Sequence, residues 1–290
     1  MNFKDIVNDI EKADPSKFQE VTNRRDILKS IGKKVALAAV PLSMNSLFST
    51  KSNAQTTSTS VLSSLNFALQ LEYFEYNFFR TGNSTGGLIP SSDLPGFLAI
   101  EKHELAHINF LINTITGMGG TAFVPKYYSN NPFCPAAYDF TAGGQYQIYT
   151  SGNYYLYLDL AQVFEDLIVR AYNGILANLT SNASVLTSIA QLQSVEGRHA
   201  SHVRYVRRFS TTAPENPKPW ITNNIPVSYY PITNFQPFYN GEDNQVQYGI
   251  DITTLPGITG TLSQTAATEA FDEPLDQATV LSYLAPFLLP

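Results

Sequence analysis

The sequence predicts an all-α fold: a four-helix bundle followed by an irregular C-terminal tail. Four segments of roughly 20 to 27 residues each repeat apolar side chains at spacings of three and four, as helices with one buried face do. Runs rich in Gly, Pro, Ser and Asn separate these segments. Four long helices in succession are typical of a bundle.

The four helices are expected at 61–80, 95–116, 153–179 and 184–209. The polar run "TTSTS" can cap the first helix, which should end before "TGNSTGG". The second should end at "GMGG", and a long loop rich in Pro, Asn and Gly leads to the third. Together they define a bundle domain at 55–210.

The tail, 211–290, is full of Pro, Asn and Tyr and has almost no helical period. We expect extended segments that pack over the bundle, with Trp220 as an anchor. A short helix is predicted within 272–289, with Asp272 or Asp276 as its N-terminal cap.

Residues 1–54 are predicted to be an export signal. The paired Arg24 and Arg25 precede an apolar run at 35–48, and the small residues Ser52 and Ala54 have the spacing of a cleavage site. The arginine pair is typical of the twin-arginine route, which leads to the periplasm or cell envelope. The alternative is a basic amphipathic helix. The apolar run is too short and too mild for a permanent membrane span.

Charge and cysteine content restrict the function. Nine of the 18 basic and six of the 24 acidic residues lie in 1–54, so the remaining chain has a net charge of −9. An acidic surface argues against nucleic acid and anionic membranes as partners. The single cysteine, Cys134, excludes an internal disulfide and a multi-thiolate zinc site, and we expect it to be a buried, unreactive thiol.

The same motif, Glu-x-x-His, occurs in the second and fourth helices, as Glu104–His107 and Glu196–His199. Residues three apart on a helix project from one face. The preceding helix of each pair supplies a further glutamate, Glu72 or Glu165, at a distance of 32 or 31 residues in sequence. If each pair of helices forms a hairpin, these similar sequence separations would place all six side chains at the same height along the bundle axis.

This pattern is the ligand set of di-iron and di-manganese carboxylate bundles. Carboxylate and imidazole groups suit such ions, and a bridging carboxylate offsets the charge of two adjacent cations. We therefore predict two iron or manganese ions, whose identity the sequence does not decide, with no catalytic group beyond the ligands and no other cofactor. The predicted ligands are Glu72, Glu104, His107, Glu165, Glu196 and His199.

Two alternatives without metal are a buried polar network and solvated helix faces. The stretch "LQLEYFEYNFF" surrounds Glu72 with aromatic residues, where an unpaired carboxylate would cost several kcal/mol. The aromatic surroundings of Glu72 therefore favour the metal site.

Other polar residues lie one turn from the predicted ligands. Glu75, Glu101 and His202 are candidates for groups that contact the ligands, and either glutamate could instead be a ligand itself. His103 falls off the ligand face and is expected to be a surface histidine.

Charges elsewhere in these helices have simpler interpretations. Asp166 is expected to pair with Arg170 one turn later. Arg204, Arg207 and Arg208 are expected to interact with the helix dipole at a helix C-terminus.

With these motifs in view, the chain resembles the exported ferritin-like domain proteins of bacteria, distantly similar to rubrerythrin and bacterioferritin. The resemblance covers about 60–210 and is carried by "LNFALQLEYFEYNFF", "EKHELAHINFL", "LAQVFEDLIVRAY" and "LQSVEGRHASHVRYV", with "EAFDEPL" in the tail. It places the six predicted ligands at the metal-binding positions of a ferritin-like bundle. The sequence lacks a cage-forming fifth helix after the fourth, which argues against storage in a hollow shell. It also lacks a Cys-x-x-Cys module, so no rubredoxin-type electron relay is built in.

The resemblance implies ferroxidase, catalase-like or other peroxide or oxygen redox chemistry in stress protection. Tyr73, Tyr76 and Tyr172 would then be electron relays or, alternatively, core packing residues. The competing hypothesis is a non-enzymatic metal-binding or structural envelope protein. The expected partners are metal ions and peroxide or oxygen. A homodimer is one candidate assembly, and the sequence does not decide the oligomeric state.

Overall fold

The computed structural model of the protein describes residues 55–125, 138–149, 152–210, 217–226, 235–257 and 260–289. The predicted export signal at 1–54 and the loop that contains Cys134 lie outside these ranges.

Four long helices form the bundle: α1 (Gln55–Ser84), α2 (Leu94–Gly117), α3 (Tyr154–Ala177) and α4 (Ala183–Ser210). The predicted fold class, a four-helix bundle with an irregular tail and a short terminal helix, is confirmed. Helices α1 and α2 pack as one hairpin and α3 and α4 as another, with α1 against α3 and α2 against α4. This arrangement brings the two Glu-x-x-His motifs to neighbouring helices.

Helix α1 extends past the predicted stop because hydroxyl side chains stabilise its last turn. Thr81 donates a hydrogen bond to the carbonyl of Asn77 at 2.7 Å, and Thr85 donates to the carbonyl of Thr81 at 2.8 Å. The second bond satisfies the Thr81 carbonyl, one of the last four carbonyls of the helix, and the first adds a side-chain bond within the preceding turn. Helix α2 begins with Pro95 in its first turn, where a missing N–H costs nothing.

Aromatic rings fill the centre of the bundle. Phe74 and Phe78 on α1 meet Phe164 on α3 edge to face, with ring centres 4.8 and 5.1 Å apart. Phe287 of the tail packs against Phe164 at 4.9 Å, also edge to face. Because Phe287 is buried, the tail contributes to the core as well as covering it.

The tail contains short regular elements. An antiparallel hairpin, β1 (Val246–Gln247) and β2 (Ile250–Asp251), turns through Tyr248 and Gly249, both at positive φ, as a two-residue hairpin turn requires. Helix α5 (Gln264–Thr268) and helix α6 (Gln277–Leu284) follow, and a 3₁₀ turn, Ala285–Phe287, comes directly after α6. Of the two predicted caps for the terminal helix, Asp276 has this role: its carboxylate accepts from the backbone N–H of Thr279. The hairpin was not expected from the sequence.

Buried arginines attach the tail to the bundle, which corrects two predictions. Asp166 pairs with Arg204 of α4 and not with Arg170, and it also accepts a hydrogen bond from Tyr239 at 2.7 Å. Arg204 is buried, so the helix dipole does not account for it. The same correction applies to Arg207, which is buried beside Asp159.

Arg170 contacts the tail. It lies 2.6 Å from Glu242 and donates hydrogen bonds to backbone carbonyls, including those of Glu273 and Asn240. Trp220, the predicted anchor, is 48% exposed, and its backbone carbonyl accepts a hydrogen bond from Arg204 of α4 at 3.0 Å. Arg170 and Phe287 are the more deeply buried anchors.

Within the described ranges, no helix combines the length and the apolar character that a membrane crossing needs.

Candidate metal centre

All four bundle helices contribute acidic or histidine side chains to one buried cluster. Glu72 and Glu75 come from α1, Glu104 and His107 from α2, Glu165 from α3, and Glu196 and His199 from α4. The five carboxylates are fully buried. Three subsets have donor atoms within 4.8 Å of one another, as one metal ion requires: Glu72, Glu104, His107 and Glu196; Glu104, Glu165 and His199; and Glu75, Glu165 and Glu196.

Glu104 and Glu196 each contact both cluster histidines through their two carboxylate oxygens. Oε2 of Glu104 lies 3.1 Å from Nδ1 of His107, and Oε1 lies 2.9 Å from Nδ1 of His199. Glu196 repeats this arrangement, with Oε1 at 3.0 Å from His107 and Oε2 at 3.1 Å from His199. The two carboxylates therefore span two nitrogen-containing positions, as bridging ligands do.

Glu72 is the third carboxylate that contacts His107. Its Oε2 lies 3.1 Å from Nδ1 of His107, and its Oε1 accepts a hydrogen bond from the hydroxyl of Tyr172. Burial and the negative charge of Glu72 raise the pKa of Tyr172 well above its usual value. The hydroxyl therefore keeps its proton and holds the Glu72 carboxylate in one orientation.

Glu165 lies on the His199 side of the cluster and has no hydrogen bond comparable to that between Tyr172 and Glu72. Neither of its oxygens has a hydrogen-bond partner among the described residues, although the side chain is completely buried. Glu75 shares this property. Buried polar atoms are nearly always hydrogen-bonded or bound to an ion, so these four oxygens are available as donors to a bound cation.

The cluster shifts the pKa values of its members strongly. Burial and the charge of nearby glutamates raise the pKa of Glu72, Glu75 and Glu165 well above their usual range. Burial disfavours the charged form of His199, but bonds to Glu104 and Glu196 outweigh it and raise its pKa to about 11. Burial also opposes ionisation of Glu104, yet its bonds to the two histidines lower its pKa to about 2. Without a metal ion, the cluster therefore retains protons at neutral pH.

The residues fit bound metal better than a metal-free network. Nδ1 of His107 lies within 3.1 Å of three carboxylates, those of Glu72, Glu104 and Glu196, and a ring nitrogen carries at most one hydrogen to donate. A cation can accept all these groups at once. The mixed oxygen and imidazole donors suit iron and manganese.

The structure brings the six predicted ligands together, and Glu75 with them. Of the other two candidates, Glu101 accepts a hydrogen bond from Asn83 at 2.8 Å and is absent from the three donor subsets. His202 packs its ring on Phe97, at 5.9 Å between ring centres, and against Gly96. Among the described residues, the hydrogen bond of Glu101 and the ring contact of His202 are both made outside the cluster carboxylates.

His103 has a role that the sequence analysis missed. It is exposed, as expected, but its Nδ1 lies 2.9 Å from Nε2 of His199, and the two rings are nearly parallel. The only sequence signal was that all four histidines lie on the second and fourth predicted helices. The spacing of His103 from Glu104 within α2 could not show that a ring from α4 approaches it.

The three predicted relay tyrosines differ in position. Tyr172 touches the ligand Glu72, whereas Tyr73 packs against Phe123 at 6.3 Å between ring centres. Tyr76 lies beneath the guanidinium of Arg80. Tyr172 is therefore bonded directly to a carboxylate of the cluster.

A four-helix bundle with carboxylates and histidines at one level of its core defines the class of helical carboxylate bundles that can hold metal. The family model described as "Ferritin-like domain" matches residues 60–208, just over half of the chain. The protein belongs to this family. A search of the curated proteins finds no significant match.

Proposed function

We propose that the protein binds a carboxylate-bridged pair of iron or manganese ions and uses it for ferroxidase, peroxide or oxygen redox chemistry. The observation that carries the proposal is the paired geometry of Glu104 and Glu196, each of which faces Nδ1 of both His107 and His199. One ion would be held by Glu72 and His107, the other by Glu165 and His199. Such a pair supplies one-electron redox steps to small oxygen species when it is bound.

The chain's own residues prepare this site. Tyr172 orients Glu72 through its hydroxyl, and the surrounding bundle core excludes bulk water from the five carboxylates. The His107 side chain is 13% exposed and that of His199 5%, so the histidine edge is the side nearest to solvent. Access of this size suits metal ions, oxygen or peroxide rather than a bulky substrate.

The location is part of the proposal. Export by the twin-arginine route to the periplasm or envelope rests on Arg24, Arg25 and the apolar run that follows them. The distant likeness to rubrerythrin and bacterioferritin rests on the four quoted motifs. A role in stress protection outside the cytoplasm would combine these two inferences.

The first experiment measures metal content by elemental mass spectrometry after anaerobic loading of the full chain with Fe(II) or Mn(II). The tested variant is Glu104→Ala/Glu196→Ala, and Glu101→Gln is the control because Glu101 bonds to Asn83 outside the cluster. We expect at least two ions per chain in the wild type and control, and loss of stoichiometric binding in the double variant. Absence of metal in the wild type would refute the proposed centre.

The non-enzymatic alternative is tested with the same loaded protein. Turnover of Fe(II) with oxygen, or of hydrogen peroxide, that disappears in the double variant supports the redox function. Full metal loading without turnover, combined with a large loss of thermal stability on chelation, would instead support a structural or sequestering role.

A further inference from the structure

The β-hairpin of the tail presents apolar side chains to solvent. Val246, Tyr248 and Ile250 are all exposed, and Tyr248 lies at the turn with its whole surface uncovered. Tyr248 also has a φ of 52° in a two-residue turn, where Asn or Gly is the favoured residue. A large ring therefore stands in solvent at a position where a small residue would suit the fold better, which indicates a contact outside this chain.

Acidic side chains flank the same hairpin. Asp251 is the last residue of β2, Asp243 lies three residues before β1, and both are exposed. Glu273 lies beside β1, because it accepts a hydrogen bond from Gln247. None of these three carboxylates forms an ion pair with a lysine or arginine of the described ranges. We call the hairpin, together with these carboxylates, the acidic hairpin.

Helix α4 presents an exposed surface of opposite charge. Tyr205 and Phe209 are 60% and 69% exposed, and their ring centres lie 4.8 Å apart, so they form one aromatic patch. Arg208 lies over the ring of Phe209 at 5.7 Å, and Arg198 lies two turns before Tyr205 on the same side of the helix. Both arginines are exposed, and neither forms an ion pair with a described residue. We call these four residues the basic aromatic face.

The net charge of the chain conceals this separation of exposed charges. Arg170, Arg204 and Arg207 are each buried beside a carboxylate, and Lys218 pairs with Glu269. The exposed arginines of the basic aromatic face have no such partner, and the carboxylates of the acidic hairpin have no cation. Both surfaces are exposed in one chain, so they do not cover each other within it. Their complementary charges and apolar side chains fit a contact between two copies.

We propose that the acidic hairpin of one copy docks on the basic aromatic face of a second copy. Tyr248 packs on the ring pair of Tyr205 and Phe209, and the hairpin carboxylates face Arg198 and Arg208. The contact joins two different surfaces, so it links copies head to tail and not as a closed two-fold pair. None of these residues belongs to the buried cluster, so the contact is independent of metal binding.

The test is sedimentation velocity of the full chain over a range of concentrations. Tyr248→Asn removes the ring from the acidic hairpin and places a residue there that tolerates positive φ, so the hairpin keeps its fold. Tyr205→Ala/Phe209→Ala removes the aromatic patch, and Phe110→Ala, an exposed ring on α2, is the control. We expect reversible association of the wild type and control, and a dissociation constant raised by about tenfold or more in the other two proteins. Circular dichroism checks that each variant is folded.

Mixing the two defective proteins tests the head-to-tail arrangement. The Tyr248→Asn chain keeps its basic aromatic face, and the Tyr205→Ala/Phe209→Ala chain keeps its acidic hairpin. Each alone should stay monomeric, whereas the mixture should form one-to-one pairs with the affinity of the wild type. A mixture that stays monomeric, or association of either defective protein alone with unchanged affinity, would overturn the proposal.

The salt dependence of association tests the contribution of charge. Raising the NaCl concentration from about 0.05 M to about 0.5 M should weaken association of the wild type, because salt screens exposed charges. Equal association at both concentrations would contradict pairing between the hairpin carboxylates and the arginines of α4. A wild type that is monomeric at every concentration and at low salt would refute the contact altogether.

Discussion

At the scale of single residues, one hydrogen bond between two histidines determines which nitrogen of His199 faces the carboxylates. Nε2 of His199 lies 2.9 Å from Nδ1 of His103, which leaves Nδ1 of His199 directed at Glu104 and Glu196. A histidine that binds metal through one nitrogen commonly donates a hydrogen bond from the other, and this bond fixes the ring. When Nδ1 of His199 binds a metal ion, Nε2 carries the ring hydrogen, and Nδ1 of His103 is then the acceptor.

His103→Ala removes that acceptor while leaving every carboxylate in place. We expect metal affinity to fall by about tenfold or more, in line with the loss of comparable partners of ligand histidines. Competition with a chelator of known affinity measures the change. Lys102→Ala, on the adjacent exposed residue, is the control, and equal affinities in the two variants would contradict this role of His103.

The raised pKa values of the cluster predict how metal binding depends on pH. Burial and neighbouring glutamates keep protons on Glu72, Glu75 and Glu165 in the metal-free protein, and the pKa of His199 is about 11. Because these groups must lose protons to bind metal, affinity should rise with pH, by roughly tenfold per unit for each proton released. Calorimetry in two buffers of different ionisation enthalpy counts the protons, and identical heats in both would exclude proton release.

At the scale of elements, the close contact between α3 and the tail depends on a glycine. The backbone N–H of Leu275 donates to the carbonyl of Arg170 at 3.1 Å, and the next turn of α3 presents Gly174 to the same residue. A Cβ atom at Gly174 would lie 2.1 Å from the carbonyl oxygen of Leu275. The absence of a side chain therefore lets the tail approach α3 closely.

Gly174→Ala should destabilise the protein by about 1–3 kcal/mol, the usual cost of forcing extra atoms into a packed contact. Gly197→Ala on α4 is the matched control, because its Cβ would meet nothing within 4 Å. There the gain in helix propensity should stabilise the protein by about 0.5–1 kcal/mol. Urea unfolding measures both changes, and a neutral Gly174→Ala would show that the tail can shift away.

Some of these elements and contacts could be predicted from the sequence, and others could not. Helical periodicity predicted the four bundle helices, and the repeated Glu-x-x-His motif predicted six side chains that the structure places in one cluster. Both signals are local or repeat at a regular spacing. The pairing of Asp166 with Arg204, and of Arg170 with Glu242, joins segments far apart in sequence and could not follow from spacing. The contact of His103 with His199 is of the same kind.

At the scale of the whole molecule, the core that surrounds the cluster is assembled from distant parts of the chain. Phe287 of the tail contacts Phe164 of α3 and Phe74 of α1, and its carbonyl accepts a hydrogen bond from the backbone of Asp139. Phe164 directly precedes the cluster residue Glu165. The tail therefore supports the helix segment that carries this glutamate.

Phe287→Ala should lower the free energy of unfolding by about 3–5 kcal/mol, because it leaves a cavity between Phe74 and Phe164. Denaturant unfolding of the metal-free protein measures the loss separately from metal binding. Phe209→Ala, on an exposed residue of α4, should change stability by less than about 0.5 kcal/mol. Similar losses in both variants would mean that Phe287 adds nothing specific to the core.

The position of Phe287 also has a consequence for biosynthesis. A ribosome makes the four bundle helices first and the residues that fill the gap beside Phe164 only about 80 positions later. Until then, the nascent bundle exposes an aromatic surface that a chaperone can bind, and the loop that must close is long. The polypeptide can therefore complete the core around the cluster only after Phe287 has been translated.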